Sequence, residues 1–220
     1  MVYNKKIERA SSGPGIFAII FGALLSLVLG VVLAMAYLVA KPVEVVKELP
    51  KEPVKGVVYY IEGSSNSSKA RQWSRKRQML VGTEPAELVF VEDELNAWIG
   101  SVMTQGGPEA KSGAAAIVPN VRIYNGTLQV GFSAMYEYLD TKWTTALQTS
   151  GRFVNTPEGP RFSADEAFFG SLPIHRLPGY DSFMIQEIIL GKEIPEEIRR
   201  AWNRVTEATI DQNSLRLVLK

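Results

Sequence analysis

The side chains best suited to chemistry in this 220-residue chain are few: the adjacent acids Asp165 and Glu166, and His175, the single histidine. A general acid and base working as a pair need two carboxyls facing one substrate. Asp165 and Glu166 stand in a stretch of strand composition, where neighbouring side chains point to opposite faces, so they do not make such a pair. His175 lies in a proline-rich stretch with no Ser or Cys at nucleophile-elbow spacing nearby. Cysteine is absent, which removes disulfides, thiol nucleophiles and thiolate metal sites, and one imidazole excludes a multi-histidine zinc centre within the chain. No phosphate-binding glycine loop, His-Glu-x-x-His helix or calcium loop occurs. The sequence therefore predicts no cofactor, no metal and no catalytic residue. An enzyme using Asp165, Glu166 or His175 stands as a third reading behind two non-enzymatic ones.

What would hold these groups in place begins at a membrane. Residues 16–40 carry no charge across 25 positions. A bilayer core about 30 Å thick needs roughly 20 helical residues, so this run is long enough to span. The expected organisation is a short basic tail (1–15), a transmembrane helix (16–40), an extended linker (41–55) and an α+β domain (56–220). Ala34-Met35-Ala36 also fits a signal-peptidase site, but the apolar run is longer than a usual signal core and continues past it, which favours a retained anchor. The tail holds Lys5, Lys6 and Arg9, while the lysines on the other flank alternate with glutamates. We expect the tail in the cytoplasm and the domain outside, as in a bacterial inner-membrane protein. Within the helix Ala18, Gly22, Ser26, Gly30 and Ala34 fall at four-residue steps, a row that lets a second helix approach closely. The partner through that face would be a second copy or another membrane subunit.

Beyond the linker, 56–62 has strand composition, and a helix is expected from Ser67 or Ser68 to about residue 81, stopped by Gly82. That helix carries Lys69, Arg71, Arg75, Lys76 and Arg77, candidate contacts for anionic lipid headgroups. Basic and acidic residues nearly balance, 24 against 23, and one tryptophan in the basic stretch makes no base-stacking platform, so nucleic acid is not an expected partner. Glu92, Asp93 and Glu94 open a second helix where they complement its positive end, and Leu95, Trp98, Ile99 and Val102 form its inward stripe. Asn125-Gly126 supplies the positive φ of a tight hairpin between 121–124 and 127–138. A second strand pair is expected over 143–154 and 161–169, then a proline-broken segment over 171–179. The C-terminus reads as a helix with Ile185 and Ile189 inward, a helix with Ile198, Ala201, Trp202 and Val205 inward, and a last strand with Leu215, Leu217 and Leu219.

The expected fold is a curved antiparallel sheet packed against helices. Such a sheet leaves an apolar trough, for which Phe132, Tyr136, Phe168, Phe169, Ile185 and Ile189 are the candidate lining. Several pieces together resemble the YpmS-like bacterial envelope proteins: Glu92-Asp93-Glu94-Leu95-Asn96, the strands within 121–169, Gly170-Ser171-Leu172-Pro173, and the closing helix and strand over 195–219. Val91 stands where that pattern has a Ser or Thr cap, and 59–82 has no counterpart. The resemblance implies an extracytoplasmic domain of unassigned function, comparable to lipid-cradling folds. Two non-enzymatic functions follow: a membrane-anchored module binding lipid or another apolar ligand, or an accessory subunit assembled through the helix row.

Overall fold

The computed structural model describes residues 14–64, 66, 69–106, 119–138, 141–178, 180 and 196–220. The chain divides into two units, Met1–Leu38 and Val39–Lys220. The first is dominated by helix α1 (Ile16–Ala40), none of whose residues is buried. At 1.5 Å per residue its length is about 37 Å, more than the roughly 30 Å of a bilayer core. It is long and apolar enough to cross a membrane, and its place near the N-terminus is one that a signal sequence shares.

The second unit is α+β, with antiparallel sheets. Its elements are β1 (Glu44–Val46), β2 (Tyr59–Ile61), α2 (Trp73–Val81), β3 (Ala86–Val91), α3 (Glu92–Gly106), β4 (Asn120–Tyr124), β5 (Thr127–Tyr138), β6 (Thr141–Thr156), β7 (Gly159–Phe169), β8 (Leu172–Pro173), α4 (Glu196–Trp202), β9 (Val205–Asp211) and β10 (Ser214–Leu219). Five strands form a meander in the order β4-β5-β6-β7-β8, three form a second sheet in the order β3-β10-β9, and β1 pairs parallel with β2. Asn125 and Gly126 join β4 to β5 with φ of 50° and 71°, the two positive angles a type I′ turn requires. The register slips between Ser150 and Gly151, leaving Asp165 as the extra residue of a bulge in β7. Gly151 is needed there, because a Cβ would lie 2.0 Å from the Ser163 carbonyl oxygen.

Alternation decides which face of the meander meets the core. Val121, Ile123, Leu128, Val130, Leu147 and Ala167 are buried on one face, together with Leu88 and Phe90 of β3 and Leu215, Leu217 and Leu219 of β10. Leu80, Leu95, Ile198 and Ala201 bring α2, α3 and α4 into the same core. Strand β9 replaces the end of the expected last helix. The helix stops at Trp202, two tight turns follow (Asn203 N–H to Arg200, Arg204 N–H to Ala201), and Val205 belongs to the sheet. Arg204 holds this corner by donating to the carbonyls of Gly82, Glu84 and Lys220.

Part of the other face of the meander is covered by the start of the segment read as an extended linker, while Arg152, Val154, Arg161 and Ser163 on that face are exposed. Val43 is buried, and its N–H donates to the Thr144 carbonyl. Glu44–Val46 then pairs with Tyr59–Ile61, so the start of 41–55 is built into the domain. Tyr60, 1% exposed, packs with Val43 against Ala146 on this outer face. Burial, aided by Glu62, pushes the Tyr60 hydroxyl well above the ordinary tyrosine range. Above the usual tyrosine pKa of about 10 the unfolded chain loses this proton while the folded chain keeps it. Stability from Tyr60 is thus fully present below about pH 10 and lost as pH rises, at about 1.4 kcal/mol per pH unit. Denaturant titrations from pH 8 to 11 check this: the decline above pH 10 should be shallower in Tyr60→Phe than in the wild type.

Candidate functional site

The acidic turn that opens α3 is a structural knot. Its third residue, Glu94, reaches back to the N–H of Val91 at 3.0 Å, half of a capping box, and accepts from Lys76 Nζ at 2.6 Å. Asp93 accepts from the Ser64 hydroxyl and, at 2.6 Å, from the Asn66 N–H. Glu92 accepts from the Ile123 N–H at 2.9 Å and from Arg122 at 3.0 Å, and takes the Ser64 N–H as well. Asn96 completes the set, accepting from the Val121 N–H at 2.7 Å and donating to the carbonyls of Val121 and Ser64.

The spacing explains why Glu92 and Asn96 do this. Four residues of helix advance about 6 Å and two residues of strand about 6.8 Å, so an i, i+4 pair of polar side chains matches the outward backbone groups of Val121 and Ile123. Strand β4 is an edge of the meander, and α3 supplies the hydrogen bonds that a sixth strand would make. The acids expected to serve the helix's positive end therefore also fasten it to β4 and to the loop after β2. Every one is engaged in these bonds, and no group of three His, Cys, Asp or Glu suited to a metal ion occurs among the described residues.

A different place remains open to a ligand. Between the segment 49–61 and the outer face of the meander lies a groove of about 250 Å³, lined by Leu49, Val57, Tyr59, Tyr124, Glu166 and Phe168 among others. Its floor follows from register: Gln129 pairs with Ser150, and Ser150 with Glu166, so the three side chains form a row across β5, β6 and β7. Gln148 and Phe168 form the neighbouring row. The two glutamines are committed to holding the cover, with Gln129 donating to the Ile61 carbonyl at 3.1 Å and Gln148 to that of Tyr59 at 3.0 Å. The Tyr124 hydroxyl pKa is raised, first by burial and then by the Glu166 carboxylate, with Arg122 opposing.

The candidates read from sequence are distributed as follows. Phe132 and Phe169 both pair with Leu147 and share its face, whereas Phe168 pairs with Gln148 on the opposite one, so the six trough residues do not form a single lining. Of the three whose side chains are described, only Phe168 borders the groove; the side chain of Tyr136, and Ile185 and Ile189 entirely, lie outside the described residues. Asp165 faces Arg152 at 3.2 Å, away from any pairing with Glu166. His175 Nδ1 sits 2.9 Å from the Ala167 carbonyl oxygen and 3.1 Å from its amide nitrogen, and its ring meets Phe168 edge-on at 5.3 Å. These contacts make His175 a strut for β7.

In the basic stretch Lys76 is paired with Glu94 and Arg77 with Glu197, while Arg71 and Arg75 are exposed and make no ion pair among the described residues; the side chain of Lys69 is not among these. Ala18, Gly22, Ser26, Gly30 and Ala34 are all exposed along α1. Tyr59, Tyr124, Gln129 and Ser150 were missed from sequence. The one signal available was a glutamine on each of two strands, Gln129 and Gln148. Compared with known proteins, the chain matches no family model, no curated protein and no solved structure, so the YpmS-like resemblance rests on its short motifs alone.

Proposed function

We propose that this chain is a non-enzymatic envelope protein, held by α1 in the bacterial inner membrane with its domain on the outer side, whose groove binds an apolar segment of a lipid or similar ligand. The observation that carries this is the groove itself: aliphatic and aromatic side chains, Leu49, Val57, Tyr124 and Phe168, gathered outside the core on the outer face of the meander. Its volume of about 250 Å³ lies below the roughly 300–1,000 Å³ of drug-sized sites. It therefore takes one chain segment or ring and leaves the rest of the ligand outside. Curvature of the meander around this groove belongs to the same reading. Exposed Arg71 and Arg75, which are not part of the groove lining, supply charge toward the anionic headgroups of a membrane surface, each worth about 1 kcal/mol there.

A second reading is an accessory subunit joined through α1. It is supported by the uncovered small-residue row, with nothing within 4 Å of a Cβ built at Gly22 or Gly30. Occupancy separates the two. Ser150 stands on the groove floor, so Ser150→Trp fills the space a ligand would use. Wild-type protein should carry an amphiphile that the variant lacks, with both chains equally folded by circular dichroism.

A further inference from the structure

We infer that the groove selects an amphiphile bearing an organic ammonium group, a lipid with a cationic amine in its head, over an uncharged or anionic one. This rests on the reading of the groove as an apolar site and adds the chemistry of its polar end. Among the described residues, three aromatic side chains, Tyr59, Tyr124 and Phe168, line the groove, and Glu166 is the only charged one. Glu166 is exposed, and its carboxylate makes no ion pair among the described residues. Its backbone carbonyl is taken by the Thr149 hydroxyl, which fixes the strand and leaves the carboxylate over. The nearest basic side chain in the same cross-strand row, Arg122, is bound to Glu92 at 3.0 Å on the far strand.

The groove thus sets three aromatic rings beside one carboxylate that makes no ion pair among the described residues. Aromatic faces attract a cation through their quadrupole, most strongly when it is weakly hydrated, as an alkylated ammonium is. A carboxylate at the rim adds a modest solvent-screened attraction, and it repels an anionic head. Together these amount to about a tenfold preference for the cation over an uncharged chain of equal length.

The test uses the full chain in an uncharged maltoside detergent, titrated with hexyltrimethylammonium and with 1-octanol, and followed by saturation-transfer NMR against detergent blanks. The expected result is ammonium binding about ten times tighter than the alcohol, with that margin reduced to a few-fold in Glu166→Gln, where the aromatic share remains. Equal affinity for the two probes, or a preference undiminished in Glu166→Gln, overturns the ammonium selectivity argued from this lining while the apolar site stands. Binding of neither probe, or binding unaltered in Phe168→Ala, overturns both.

Discussion

Replacing Asn96 by alanine is expected to destabilise the domain by roughly 3–5 kcal/mol, because three backbone groups lose a partner at once. The Val121 N–H, the Val121 carbonyl and the Ser64 carbonyl all bond to this side chain, which is itself buried. An unpaired buried polar group costs about 1–3 kcal/mol, and domains are stable by only about 5–15, so the loss takes a large share of the total. Asn96→Asp should be nearly as harmful. It keeps an acceptor for the Val121 N–H but sets a carboxylate against two carbonyl oxygens. The exposed edge of β4 should also pair between molecules, so aggregation on mild heating is part of the expected result. Denaturant unfolding of the full chain in detergent measures it; a loss below 1 kcal/mol would mean that α3 does not hold β4.

Gly63→Ala should cost about 3 kcal/mol, at the upper end of the overpacking range. A Cβ at this position would lie 1.9 Å from the Val121 carbonyl oxygen, 2.7 Å from Asn120 Oδ1 and 2.8 Å from Asn96 Nδ2. The loop after β2 runs this close because Asn120 accepts the Gly63 N–H while Ser64 is tied to Glu92, Asp93 and Asn96. One of the three clashes is with Asn96, so the two substitutions share a cause and their costs should fall short of additive by about 1 kcal/mol or more. Strict additivity in a double-mutant cycle would show that the loop and α3 are held independently.

Much of this architecture was legible because it is local. The period of Leu95, Trp98 and Ile99 reports a helix lying on a core, Asn125-Gly126 dictates its own turn, and the alternation of Leu215, Leu217 and Leu219 reports one buried face. The uncharged run of α1 reports its length directly. What stayed hidden depends on contacts far apart in sequence. Strand β1 sits in a charged, proline-containing stretch whose pairing partner lies fifteen residues on, as Glu44 with Tyr59, and it gains its place by burying Val43 against Ala146. The helix start at Glu92 was readable, but its second role needs β4 alongside, thirty residues away in sequence. The groove was the least legible part. Gln129 and Gln148 look solvated on an alternating strand until a cover donated by another segment accepts their amides. Phenylalanines chosen for an apolar trough fell on both faces because a strand turns adjacent residues, such as Phe168 and Phe169, in opposite directions.

Native mass spectrometry of the full-length chain, released gently from its own membrane, tests the binding function most directly. The expected spectrum shows a single chain carrying one amphiphile, and Ser150→Trp without it. A bare chain in both cases, or a defined protein complex with no bound amphiphile, would contradict a ligand-binding groove, and the complex would favour assembly through the face of Gly22 and Gly30 instead.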